Sequence, residues 1–251
     1  MLLPKEHELL QIEGLDIAGF MEPADEVGGD YYDVLSRQGR VLMGIGDVTG
    51  HGLESGALAI MVQTAVRTLL ANNETDPVKF LQALNEAIYD NVQRMESDKN
   101  MTIALLDYQQ GSSSLSQTQA SLSPPLQNGA GGILRLSGQH EEMIVVRKGN
   151  LELIDTMDLG FPIGLVDEIE VNQAKVPLNP CDVVVLYTDG ITEAVNMENE
   201  EYGQERLCEV VKLNWQQSAQ EICQAVIDDV RQFIGQQKIL DDITLLVLKQ
   251  K

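Results

Sequence analysis

Two long amphipathic stretches stand in immediate succession in the first half of this chain, with short apolar runs on either side of them. Across residues 55–70 the apolar side chains Leu58, Met61, Val62, Ala65, Val66 and Leu69 recur at steps of three and four, which puts them on one face of a helix. Asp76-Pro77 reads as the N-cap and first position of a second helix running to about Met95, with Phe80, Leu81, Leu84, Ala87, Ile88 and Val92 on its buried stripe. Both stripes are first of all core, and a core needs a second layer. Residues 15–21, 40–45 and 101–106 are short apolar runs that suit strands, the first two bounded by glycine and charge.

The second half repeats the arrangement. Residues 133–136, 143–146, 151–155, 173–176 and 183–187 read as short strands separated by turns containing Gly, Asn or Pro, a spacing typical of antiparallel meanders. Helices are expected at about 203–213 and 218–234, and a last strand at 243–248 runs apolar almost to the C-terminus. Parallel α/β repetition is absent, so the order describes an α+β layered domain. We read residues 15–251 as that single domain and residues 1–14 as a linker or the end of an upstream helix. Residues 110–132 read as a mobile loop or insertion, because 111–132 are rich in Ser, Gln, Gly and Pro and carry no charge.

Charge narrows the function. The chain has 39 acidic and 17 basic residues, a net charge of −22, which repels phosphate backbones and anionic bilayers. Nucleic acid and membrane surfaces are therefore not expected partners. Cys181, Cys208 and Cys223 have no metal-ligand spacing and an odd count, so they are expected to be reduced and mostly buried. The opening residues are too charged for a secretory signal, and no apolar run approaches the ~20 residues that span a bilayer. The expected location is the cytoplasm.

Acidic residues recur where a strand meets a glycine turn or starts after a loop: Asp30 after Gly28-Gly29, Asp47 in Gly46-Asp47-Val48-Thr49-Gly50-His51-Gly52, Asp189 in Tyr187-Thr188-Asp189-Gly190, and Asp241-Asp242 before Ile243. Strand ends hold carboxylates rigidly, and an adjacent glycine lets backbone and solvent approach an ion. Oxygen donors suit magnesium or manganese, and no His/Cys set points to zinc. Taken singly, each of these Asp-Gly pairs is more often a turn.

In combination and in this order, Glu26-Val27-Gly28-Gly29-Asp30-Tyr31-Tyr32-Asp33, the Asp47 motif, Leu186-Tyr187-Thr188-Asp189-Gly190-Ile191-Thr192-Glu193-Ala194, Asp241-Asp242-Ile243-Thr244-Leu245-Leu246-Val247-Leu248 and Gly160-Phe161-Pro162-Ile163-Gly164-Leu165 resemble the metal-dependent protein phosphatases (PPM), in their SpoIIE/RsbU-like branch. The resemblance runs from about residue 15 to 248. It implies a four-layer α-β-β-α sandwich, two antiparallel sheets flanked by helix pairs. It also implies two Mn2+ or Mg2+ ions, with a third allowed: Asp47 bridging them, the Val48 carbonyl completing one site, Asp189 and Asp241 the other, and Asp30 on the first side directly or through water. Such a pair, about 3.5–4 Å apart, activates a water for in-line attack on phosphoserine or phosphothreonine. The substrate typical of that branch is a phosphorylated anti-sigma-factor antagonist in bacterial signalling. A homodimer and an upstream sensor domain are both compatible with the sequence.

The match departs from the wider family at Thr49, where animal and plant members usually carry histidine, and no arginine of the early motif takes the place of their phosphate-gripping arginine. His51 reads either as a helix-start residue or as a proton donor. Glu26 and Asp33 read either as groups supporting the metal ligands or as a charged turn. Tyr31 and Tyr32 should point to opposite faces of a strand, one packing and one lining the cleft. Residues 138–142 look like a hairpin turn with exposed charge, which argues against a metal role for His140, and Trp215 reads as an anchor between helices. Two competing functions stay open at this point: a catalytically silent interaction module with the same fold, and a phosphatase for a small metabolite.

Overall fold

The computed structural model describes residues 3–5, 8–9, 12–24, 27–37, 39–110 and 131–251. Among the described residues ten strands form two five-stranded sheets, every neighbouring pair antiparallel. The first sheet has the order β1 (Leu15–Glu22), β10 (Ile243–Gln250), β9 (Val183–Tyr187), β6 (Met143–Arg147) and β7 (Asn150–Ile154). The second runs β2 (Tyr31–Arg37), β3 (Arg40–Val48), β4 (Met101–Gln110), β5 (Gly132–Ser137) and β8 (Ala174–Leu178).

Helices α1 (Leu53–Ala71) and α2 (Pro77–Met95) cover the second sheet, where Val62, Leu81 and Leu84 pack with Leu42, Ile103 and Leu105. A four-residue helix α3 (Asp189–Thr192) follows β9, and α4 (Gln204–Asn214) and α5 (Ala219–Ile234) cover the first sheet. Between the sheets lies a third apolar cluster that includes Ile17, Ile45, Leu106, Val145, Leu186 and Leu246. These clusters make four layers, the α-β-β-α sandwich the motifs imply. They also explain why β10 is apolar at nearly every position: Leu246 and Leu248 face the other sheet while Leu245 and Val247 face the helices.

Local chemistry sets the helix starts. The Asp76 side chain accepts the amides of Val78 (3.0 Å) and Lys79 (3.4 Å), with Pro77 at the first helical position. Ser218 and Glu221 form a reciprocal capping box on α5.

Three expectations change. Tyr31 and Tyr32 do face opposite ways, but both are buried, Tyr31 in the helix-side core and Tyr32 between the sheets, so neither lines a cleft. Of the cysteines only Cys223 is buried; Cys208 is half-buried and Cys181 exposed, all three unbridged. Asp33 is no charged turn: it is 1% exposed and takes Arg67 of α1 in a fork, Nε to Oδ2 at 2.8 Å and Nη2 to Oδ1 at 3.2 Å. Arg67→Ala would strand that carboxylate, and urea unfolding should show a loss of about 2–3 kcal/mol, below the range for a wholly buried pair because Arg67 is partly exposed. Residues 111–130 and Glu26 lie outside the described residues. Among the described residues no helix is long and apolar enough to cross a membrane.

Candidate metal centre

Antiparallel pairing brings the acidic motifs to one end of the sandwich. In the second sheet Tyr31 pairs with Gly46, so Asp30 and Asp47, one residue further out on each strand, stand beside each other. In the first sheet β9 and β10 run in opposite directions, which sets Thr188-Asp189 against the start of β10; the Thr188 amide donates to Thr244 O at 3.1 Å. The end of β1 pairs at that same place, Glu22 with Ile243, and the chain crosses from there to Asp30 in the other sheet.

The four acids differ in depth. Asp30 is buried, Asp47 and Asp189 are half-buried, and Asp241 is exposed at the rim. Thr188 Oγ1 donates to Asp30 Oδ2 at 2.8 Å. Burial and the Asp47 charge hold the Asp30 carboxyl well above the usual range. Asp47 is pushed up to about 7, first by burial and then by the charges of Asp189 and Asp241, while a hydrogen bond with Asp30 opposes the rise. Asp189 is raised by burial and by Asp241, against the favourable pull of the Gly190 amide and its own. Two acids that the sequence reading passed over add to this field: Glu141 and Glu193 are both raised, by burial first and Asp189 second.

Among the described residues no three His, Cys, Asp or Glu side chains converge closely enough to hold one ion among themselves. Magnesium and manganese centres do not require that: one or two carboxylates, a carbonyl and retained water suffice per ion. The donor set fits such ions on two observations. After burial, the proton affinity of Asp30 is raised by Asp47, that of Asp47 by Asp189 and Asp241, and that of Asp189 by Asp241, as in groups lacking a counter-charge. Space is also left before the Val48 carbonyl, since a Cβ on Gly29 would meet that oxygen at 3.0 Å and the Ser55 Cβ at 3.3 Å.

Asp242, paired with Asp241 in the sequence but given no role of its own, is a clamp. Its carboxylate accepts the amides of Ala24 (2.8 Å) and Asp30 (3.2 Å) and so ties the crossing loop to β10. Only the alternation of neighbouring side chains at a strand start could have suggested that Asp241 and Asp242 point to different tasks. Lys99 Nζ donates to Thr49 O at 2.7 Å, bringing a cation to the Asp47 loop. His51 is exposed just before α1. Residues 138–142 are not an exposed charged turn: His140 is buried among hydrogen bonds, and Glu141 and Glu142 are half-buried. Trp215 follows the last residue of α4 and packs against the helix-side core of the first sheet.

The model of the family described as Stage II sporulation protein E (SpoIIE) matches residues 37–251. Phosphoserine phosphatase RsbU of Bacillus subtilis (strain 168) is 26% identical over 241 residues, which are 96% of this chain and 65% of RsbU, so the chain spans just under two thirds of that relative's length. Among solved structures, the SiaA-PP2C domain of Pseudomonas aeruginosa is similar with a TM-score of 0.73 at 20% identity, covering 94% of this chain and 86% of that one. The RsbU and RsbW domains of Rv1364c from Mycobacterium tuberculosis are similar with a TM-score of 0.68 at 22% identity, over 95% of this chain and 60% of that one.

Proposed function

Because the chain belongs to the SpoIIE family, within the metal-dependent protein phosphatases, we propose that it hydrolyses phosphoserine or phosphothreonine in a partner protein, using two divalent cations held by Asp30, Asp47, Asp189, Asp241 and the Val48 carbonyl. The observation that supports the reading is that Asp189 and Asp241, from one sheet, lie near enough to Asp47, from the other, for their charges to raise its carboxyl. Carboxylates alone would repel a phosphate ester, so a silent module would keep a costly cluster with no return. When bound, Mn2+ or Mg2+ supplies charge neutralisation for the phosphoryl oxygens and a water of lowered pKa.

The chain's own residues hold the framework for this. Asp242 fixes the amide of Asp30, Thr188 orients its carboxylate, and the amide of Gly190 faces Asp189. Asp47 sits at the end of a strand paired on both sides, where it can move little. The substrate we propose is a phosphorylated anti-sigma-factor antagonist in the cytoplasm, supported by the likeness to RsbU, itself a phosphoserine phosphatase.

Chelation gives the test. EDTA should stop hydrolysis of p-nitrophenyl phosphate, and added Mn2+ should restore it; turnover that ignores EDTA would sink the metal proposal. A phosphoprotein should be preferred over small phosphate esters in kcat/KM. The reverse preference would point to a metabolite phosphatase, and stable binding of the phosphoprotein without phosphate release to a silent module.

A further inference from the structure

His140 lies in the loop between β5 and β6, 7% exposed, with both ring nitrogens engaged. Nε2 lies 3.0 Å from the carbonyl of Tyr187, the last residue of β9 and two residues before Asp189. A carbonyl only accepts, so Nε2 carries the proton and Nδ1 is left as an acceptor. Nδ1 takes the Thr102 hydroxyl at 2.9 Å. Thr102 belongs to β4, in the other sheet, and pairs directly with Asp47; its Oγ1 also lies 3.5 Å from the Asp47 carbonyl oxygen. One imidazole therefore joins β4, whose Thr102 pairs with Asp47, to β9, whose last residue lies two before Asp189.

The loop that carries the ring is itself held. The His140 amide donates to Thr156 Oγ1 at 2.9 Å and the Thr156 hydroxyl donates back to the His140 carbonyl. The Ile103 amide donates to Gln139 O at 2.8 Å and the Gly138 amide to Leu159 O at 3.1 Å. A histidine kept only for packing would need neither directional bond, and burying an imidazole where an apolar side chain could fill the space is unfavourable. The price is visible: burial holds the ring down to about 4, neutral at physiological pH.

We propose that His140 is a positioning residue, which through its Nε2–H tautomer sets the distance between the Asp47 and Asp189 strands and hence the spacing of the candidate metal ligands. The inference rests on the metal-dependent reading above and goes beyond it by naming what joins the two halves of the centre. The tautomer matters because Nδ1 holds the single Thr102 hydroxyl proton, keeping it from the Asp47 carbonyl.

The test compares wild type with His140→Leu, Thr102→Val and Thr102→Ser, reading Mn2+ affinity by calorimetry, kcat and KM for p-nitrophenyl phosphate at saturating Mn2+, and melting temperature. His140→Leu removes both ring bonds of the bridge, and Thr102→Val removes the Thr102 bond from the other side. Both should weaken Mn2+ binding about 10-fold and lower kcat by roughly 10–100-fold. KM should stay within about threefold, and the double variant should add little to either single one. Thr102→Ser, with its hydroxyl kept, should recover most of what Thr102→Val loses; should His140→Leu fail to fold, the Thr102 pair carries the test alone. Variants that melt lower yet match wild type in Mn2+ affinity and kcat would reduce His140 to a core residue and overturn the inference. A wild-type protein that neither binds Mn2+ nor hydrolyses the ester would overturn the phosphatase reading instead, and this inference with it.

Discussion

Asp47→Asn is expected to lose on the order of 10³-fold in turnover and, with divalent cations removed, to melt higher than wild type. The two effects share a cause. Asp47 is pressed by burial and by Asp189 and Asp241, so the folded protein keeps its proton up to about 7, against an ordinary 3.8. Between those values the folded state holds a proton that the unfolded chain has released, and stability therefore falls as pH rises from about 4 towards 7. Asparagine has no such proton to lose. The variant's advantage should be absent below about pH 4, grow through that window and level off above it; the full rise would be worth ~4 kcal/mol, which solvent screening at this half-buried site reduces to about 1–2 kcal/mol, or roughly 2–8 °C in melting temperature. Added Mn2+ should reverse the order, since a ligand at 100 times its Kd stabilises the wild type by about 2.7 kcal/mol. Scanning calorimetry across pH 4–8, with EDTA and with Mn2+, checks both halves. A metal-free Asp47→Asn that melts below wild type throughout would mean the acids are not in conflict.

The layers were legible because they follow from periodicity. The stripes on α1 and α2 and the both-faces-apolar pattern of β10 are one-dimensional signals of burial, and they were read within a residue or two of the observed ends. Asp30, Asp47, Asp189 and Asp241 were read as a set only through the resemblance, since nothing in four separate turns says that they belong together. What escaped depends on partners far away in sequence. Asp33 stayed open between a group supporting the metal ligands and a charged turn because Arg67 is 34 residues distant, and His140 looked exposed because glycine, glutamine and glutamates surround it. Its partners, Thr102 and Tyr187, lie 38 and 47 residues away in different sheets. Tyr31 and Tyr32 were assigned to opposite faces correctly, but in a four-layer sandwich both faces of a strand are interior, so alternation no longer separates core from cleft.

Gly190→Ala is expected to be nearly as damaging as losing a ligand, although it removes no functional group. A Cβ at this position would lie 2.1 Å from the Asp242 carbonyl oxygen, 2.9 Å from its carbon and 3.3 Å from the carbonyl carbon of Asp241. All three atoms are backbone, so no side-chain rotation relieves the contact, and the turn after β9 must move away from the start of β10. Those two segments carry Asp189 and Asp241. A displacement of the order of 1 Å between positioned groups costs about 10²-fold in rate, and overpacking of this kind about 1–3 kcal/mol in stability. The movement also loosens the Asp242 clamp on Ala24 and Asp30, so the disturbance should reach the other sheet. Mn2+ titration and specific activity, measured well below the variant's melting temperature, separate this from simple unfolding. A folded Gly190→Ala that binds Mn2+ and turns over like wild type would show that the two segments can part without moving their acids, and the centre's geometry would then have to be set elsewhere than at this backbone contact.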